Sequence, residues 1–358
     1  MVGLLAAYRE NDMPEAAQPL RFVYVHIVVG VNLSVPILKF LLKRVVFGIL
    51  TLLVVSLMIF FVTQALPSNP GKLVLGRDAD AASIHKFDVD HGLDRSLPYQ
   101  YGHWLSGVVR GDFGKSYFPA QIDQAPAVWK DSGPRIGATL FLLFAAGIIS
   151  IPLSILLGTY AGLKRDKKFD NTSSVVMLLL AAVPEFVLGT FLIIVFATFV
   201  THLLPGAVIL SPGDSPWAHP KELILPIVTL SLGVIPYVSR TMRASIIEVL
   251  ESDYIEMARL KGMPEKTVVW RHAFPNAVGP VFQVIALNLA YLAGGIIIVE
   301  RLFNFPGIGQ ALSEAVRARN LPVIQLLALT IAAVYVVTNL LADIATVLVT
   351  PRLRTRLT

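Results

Sequence analysis

Glu185 is the residue of this sequence whose type and setting could most directly act on a solute. It follows Pro184 in Ala182-Val183-Pro184-Glu185-Phe186, inside an apolar run long enough to cross a bilayer. A carboxylate there is costly unless it is hydrated, paired or protonated. Two readings follow: an anion lining a translocation path that helps pass a cationic group, or a lateral ion pair or hydrogen bond to a partner helix. Gln283 and Asn288 lie in a later apolar run, and Asn339 and Asp343 share a helix face at i, i+4 in the last one. Such residues more often join helices than bind cargo. Gly114-Lys115-Ser116 invites a phosphate-loop reading, but that motif needs a glycine where Val109 stands. The histidines form no H-E-x-x-H pair, so a zinc hydrolase site has no support. The chain has no cysteine, which excludes disulfides, thiolate catalysis and Cys-ligated zinc. No catalytic or metal-binding constellation emerges. If this chain moves a solute uphill, the energy must come from another subunit.

The elements that would position these residues are membrane helices. The chain has 358 residues, of which 55% are hydrophobic and 15% charged, against about 25% charged in soluble domains. Its mean hydropathy is +0.67. A net charge of +6 does not indicate nucleic acid, because the basic residues are spread through loops. No cleavable signal peptide is evident. Runs of about 20 apolar residues span a bilayer, and six are expected: Val45–Leu66, Thr139–Gly162, Ser173–Phe199, Leu223–Ser239 (extending inward), Pro280–Val299 and Pro322–Val349. Lysine and arginine set the orientation. Lys39, Lys43 and Arg44 precede the first run, and Lys164, Arg165, Lys167 and Lys168 follow the second. Arg240, Arg243, Arg259, Lys261, Lys266 and Arg271 follow the fourth, and Arg352, Arg354 and Arg356 end the chain. These segments are expected in the cytoplasm, with both termini inside.

The fold expected is therefore an all-α integral membrane protein. Residues 1–38 form an N-terminal extension, 39–66 the first span, 67–135 a long outer segment and 136–350 the membrane-spanning core. A cytoplasmic loop lies near 240–279 and a basic tail at 351–358. Phe22–Val35 in the extension is apolar but short and broken by Gly30, Asn32 and Pro36. It reads as an interfacial helix or the product of an upstream start, with a seventh span as the alternative. In the outer segment Tyr101, Trp104, Leu105 and Val108 recur at helical spacing and predict a short amphipathic helix against the membrane face.

The stretch from Asp253 to Ala277, DYIEMARLKGMPEKTVVWRHAFPNA, carries most information. Tyr254 to Lys261 predicts a short helix, Gly262 its end, and Pro264 the start of a second. The result is either an ordinary basic connecting loop or a docking surface projecting from the membrane. Glu256, Ala258 and Gly262 have the E-x-A-x-x-x-G spacing of the cytoplasmic loop of ABC importer permeases. Tyr254, Ala258, Arg259, Lys261, Gly262, then Arg271-His272-Ala273 and Asn276-Ala277, resemble the peptide/nickel permease class, Y-V-R-T-A-R-A-K-G followed by R-H-A-x-x-N-A. Glu256, where that class often has a basic residue, and Met257, where the general loop has a second alanine, depart from the pattern. His91 to Tyr117 resembles the class's L-G-L-D-x-P-L-P-x-Q-Y-x-x-W-L segment, Leu66 to Pro70 its L-P-G-D-P, and Glu300 to Gly309 its E-T-V-F-x-x-P-G-x-G. Pro306, Gly307 and Gly309 predict a rigid outer re-entrant turn. Pro184-Glu185 stands where the class reads Pro-Ser, and Thr350-Pro351-Arg352 replaces its D-P-R.

The resemblance, over Lys39 to Arg354, implies an importer permease of the cell membrane. It implies a second related permease, two ATPases docked on Tyr254, Glu256, Ala258, Arg259, Lys261 and Gly262, and an extracytoplasmic binding protein. ATP and magnesium would be bound by the ATPases, and no cofactor by this chain. The expected cargo is short peptides, with nickel chelates, glutathione, opines and oligosaccharides open. The rival class is an autonomous secondary transporter or channel. It needs its own coupling site and usually internal repeats, of which the sequence shows none.

Overall fold

In lipid the backbone must satisfy its own hydrogen bonds, and the apolar runs do so as helices. The computed structural model describes residues 35–64, 70–75, 79–117, 127–199, 203–209 and 218–349. The extension before residue 35, the Leu66–Asn69 motif and the tail from Thr350 lie outside these. Among the described residues the elements are helical, with one isolated bridge between Lys115 and Ala127. Helix α1 is Val35–Gln64, and the outer segment carries α2 (Pro70–Leu75), α3 (Ala81–Asp90) and α4 (Leu97–Arg110). Helices α5 (Val128–Leu163), α6 (Lys168–Ala182) and α7 (Glu185–Ile193) follow, α7 continuing into π-helical Ile194–Phe199. Helix α8 (Pro220–Leu250) leads to α9 (Asp253–Leu260). One turn at Glu265–Thr267 and a π-helical stretch Val268–Ala273 then enter α10 (Phe274–Leu302), before α11 (Ile308–Ala318) and α12 (Leu321–Val349). Among the described residues five helical stretches are long and apolar enough to cross a membrane, six if α6 and α7 count as one bent span.

That bent pair corrects one expectation. A single helix over Ser173–Phe199 does not form; α6 and α7 meet at 103°. Proline has no N–H and pushes the residue before it out of the helical region. Val183 is accordingly extended (φ −97°, ψ 126°) and Pro184 becomes the N-cap of α7. A second difference is α5, which starts at Val128, so the expected boundary at 135 falls inside a helix.

The centre of the bundle is α8 against α5. Ser150, Ser154, Gly158 and Gly162 lie four apart on α5 and are all buried. A stripe of small residues at this spacing lets membrane helices approach closely. A Cβ on Gly158 would come within 2.7 Å of Met242 Cβ, and one on Gly162 within 3.1 Å of the Arg243 carbonyl. Leu230, Val234, Val238, Met242 and Ile246 of α8 are fully buried against this face and α10.

The two ends of the bundle have separate polar networks. At one end Glu300, fully buried, accepts from Thr139 Oγ1 at 2.5 Å and from the Gly309 N–H at 2.6 Å. Thr139 Oγ1 in turn accepts the Ile308 N–H at 2.8 Å. Glu300 and Thr139 thus cap α11, whose own N-cap, Gly307, has no side chain to do so. At the same end Tyr101 of α4 shares a hydrogen bond with Ser56 of α1 at 2.9 Å, and the Phe60 ring packs on Tyr101 and Trp104. The expected amphipathic helix forms as α4, and its Tyr101 and Trp104 rest on the end of α1. Burial, then the neighbouring Asp88 carboxylate, pushes the Tyr117 phenol well above its ordinary range. At the other end Arg44 pairs with Asp343 at 3.2 Å, joining α1 to α12. Asn288 and Asn339 donate to carbonyls of their own helices, and Gln283 is exposed, so only Asp343 of these four joins two helices through a hydrogen bond or ion pair described in the structure.

Candidate functional site

The loop between α8 and α10 lies at the Arg44–Asp343 end. Ser252 is extended (ψ 148°) and opens α9, with Asp253 and Glu256 in its first turn and Arg259 in its last. Both placements complement the helix dipole. Ile255 and Ala258, three apart, face the bundle and are buried. Tyr254, Met257 and Leu260 face away, 41%, 54% and 74% exposed. They form an apolar ridge turned outward, flanked by exposed Glu256, Arg259 and Lys261.

The helix ends in a Schellman turn. Met263 N–H reaches the Ala258 carbonyl at 3.3 Å, and Gly262 N–H the Arg259 carbonyl at 2.9 Å. Gly262, expected to end this helix, has φ +75°, a conformation that glycine adopts without steric cost. Pro264 (φ −58°, ψ 137°) is the N-cap of the next turn and not its first residue, because an extended ψ at proline defers the helix to Glu265. Arg259 grips Glu265 through Nη2 and Nε at 2.7 and 3.1 Å, and this bond holds its guanidinium above the ordinary value. Both groups are exposed, so the pair contributes at most about 1 kcal/mol; its effect is to set the angle between the two arms. Of the six loop residues singled out by sequence, Ala258 and Gly262 shape the loop and Arg259 braces it. Tyr254, Glu256 and Lys261 present outward. The returning arm is π-helical through Arg271-His272-Ala273, a feature frequent at functional sites. It is tied back to α8 by Ser245 Oγ on the Ala277 carbonyl at 2.7 Å.

Glu185 begins α7 just past the Pro184 break. Its carboxylate occupies a slot opposite two glycines. A Cβ on Gly233 of α8 would lie 2.7 Å from Oε1, and one on Gly295 of α10 would be closer to Oε2. Oε1 is buried with no hydrogen-bond partner. The structure therefore brings Glu185 between α8 and α10, distant in sequence from the loop. Gly233 and Gly295, which make the room, were not anticipated; isolated glycines inside long apolar helices carry no local signal. Among the described residues there is no cluster of side chains able to hold a metal ion.

Two family models cover the chain. The binding-protein-dependent transport system inner membrane component matches residues 136–355, and the N-terminal model of the same membrane component matches residues 37–129. The chain belongs to this family. It is the permease subunit of an ABC importer, a multi-pass inner membrane protein. The family places it in a complex with ATPase and binding-protein partners. A relative from Sinorhizobium fredii named as a peptide ABC transporter permease is 33% identical over 317 residues, covering 88% of this chain and 99% of the relative. One from Brucella abortus named as a peptide transport system permease is 35% identical over 315 residues, covering 88% and 98%. The glutathione transport system permease GsiC of Escherichia coli is 33% identical over 317 residues, covering 88% and 99%. In this permease the outward ridge of α9 and the slot of Glu185 are the two features open to functional assignment.

Proposed function

We propose that this permease forms, with a second homologous permease, the translocation path for short peptides. Two ATPase subunits seat on the α9 loops and a binding protein delivers cargo at the opposite face. The observation that carries the reading is the apolar ridge of Tyr254, Met257 and Leu260 on a conformationally fixed helix, in a chain of this family. An exposed ridge on an 8-residue helix has no use inside the chain and suits a groove on a partner. ATP and magnesium belong to the ATPases. Their closure moves the loops, and the helix bundle alternates between two packings. Peptide cargo is favoured by relatives named for peptides and for glutathione, itself a tripeptide with a free amino group.

Lysine and arginine placement puts the α9 loop and both termini in the cytoplasm and residues 79–117 outside. Because the native chain has no cysteine, single cysteines test this cleanly. An impermeant thiol reagent should label a cysteine at Asp94 in intact cells and spare one at Lys167; the reverse pattern overturns the orientation.

Glu185 is the residue assigned to selectivity. Its unpartnered oxygen leaves it able to meet a cationic amino terminus once the slot opens. In vesicles holding the complete complex, Glu185→Gln should reduce uptake of a free peptide about tenfold and that of an amino-blocked peptide of equal length much less. Equal loss for both with a collapsed complex yield makes Glu185 structural. The same vesicles without ATPases should show no accumulation; ATP-independent accumulation by this chain alone would favour the secondary-transporter class.

A further inference from the structure

Helix α6 is held to the bundle at few points. Its buried residues are Asp170 and Met177, while Val175, Val176, Leu178 and Leu179 are exposed. Asp170 is completely buried, in the first turn of α6. Its two oxygens receive the fork of Arg243 from α8: Nε meets Oδ1, and Nη2 meets Oδ2 at 2.6 Å. Oδ2 also accepts the N–H of Asp166 at 2.9 Å, a residue at φ +61° in the turn before the helix. One residue earlier, Arg165 pairs with Glu251, the C-cap of α8 and the last step before the α9 loop. The short turn between α5 and α6 is thus fastened twice to the inner end of α8. Further along α8 lies Gly233, where Glu185 is seated. Ten residues separate Gly233 from Arg243 in the sequence, about 15 Å of helix. The bent third span is therefore bonded to α8 at its start and packed closely against it just after its break.

We infer that Asp170 and Arg243 are a positioning pair that makes the third span follow the α9 loop, so that movement imposed on the loop reaches the Glu185 slot. This rests on the proposal that ATPases dock on α9. Helix α8 is the rod between them: it continues from Gly233 through Pro236 and past Arg243 to Leu250, with Glu251 as its C-cap, and Gly158 and Gly162 of α5 back it near Arg243. A pair whose carboxylate is buried and whose guanidinium is about a third exposed is a poor device for stability alone, since apolar residues of similar volume hold helices at least as well. What the fork supplies is direction, because two parallel N–H···O bonds fix both the register and the rotation of α6 on α8. A methionine and a leucine in the same space would allow both to slip.

The test uses the complete complex in vesicles and measures assembly yield, ATP hydrolysis and cargo uptake separately. Asp170→Asn keeps shape and removes the charge, Arg243→Lys keeps charge and removes the fork, and the double variant Asp170→Leu with Arg243→Met replaces the pair by apolar packing. Uptake per ATP hydrolysed should fall about tenfold in the double variant at normal yield. The two single variants should show the same fall where they assemble. An unchanged ratio in the double variant at normal yield overturns the inference. So do uptake and hydrolysis that fall together, in proportion to yield, in all three. A cysteine at Met257, joined to the ATPase by a thiol-to-amine cross-linker, separates this from the docking proposal. Absence of that cross-link in the otherwise native chain defeats docking; its presence with an unchanged ratio defeats the positioning pair alone.

Discussion

A Gly262→Val chain is expected to insert at normal levels and to lose uptake to background. The cost is conformational, since nothing lies within 4 Å of where a Cβ would stand. At φ +75° an L residue with a side chain pays about 1–2 kcal/mol, and a β-branched one more. Valine relieves this by leaving the left-handed region, and the two bonds of the Schellman turn go with it. The ridge of Tyr254, Met257 and Leu260 then loses its fixed angle to the returning arm. Gly262→Asn is the control, because asparagine tolerates this conformation, and it should retain most uptake. Uptake at matched membrane levels, with co-purification of the ATPase, decides the matter. Normal transport by the valine variant would end the docking reading. Loss as complete with asparagine would show that the site needs open space above the turn and not a backbone shape.

The local chemistry of this chain was legible from its sequence, and the partnerships across the bundle were not. Gly262 announced its conformation because a run of good helix formers stops there and only a turn fits before Pro264. The membrane runs announced themselves by length. Pro184 did not announce a break, because Pro152, Pro226, Pro236 and Pro280 all sit inside continuous helices of the same bundle. Proline in a membrane helix is tolerated where neighbours satisfy the freed carbonyls, and that depends on packing that the sequence does not display. Arg243 counted as a loop charge under the positive-inside rule and Asp170 drew no notice; their bond spans 73 residues. Thr139 and Glu300, separated by 161, gave no sign of each other. The small-residue stripe on α5 was present at spacing four, but a hydropathy count treats Ser150, Ser154, Gly158 and Gly162 as mere dilution of an apolar run. Glu185 stood out as an intramembrane carboxylate, yet the two glycines that admit it lie on other helices. Spacing rules see one helix at a time, and the functional geometry here lies between helices.

Gly307→Ala is expected to lower the melting temperature of the purified permease by about 10 °C, the largest loss of stability from a single methyl group in the turn after α10. The added Cβ would stand 2.5 Å from Thr139 Oγ1 and closer still to the Glu300 carboxyl. Neither neighbour can retreat. Glu300 is fully buried and holds the Gly309 N–H, and Thr139 is 3% exposed and holds the Ile308 N–H. Moving either one uncaps α11, which has no N-cap side chain in reserve. Overpacking costs about 1–3 kcal/mol, and each hydrogen bond lost to a buried carboxyl group costs about as much again. Gly294→Ala is the control, a helical glycine with nothing within 4 Å, where added helix propensity should hold or slightly raise the melting temperature. Thermal unfolding of both variants in one detergent compares them directly. An alanine at 307 that melts with the native chain would mean that Glu300 and Thr139 are free to move, and the capping role assigned to them would fall with it. A loss confined to position 307 would instead show why Glu300 and Gly307 stand together in this stretch: the acid supplies the cap, and the absence of a side chain lets it reach.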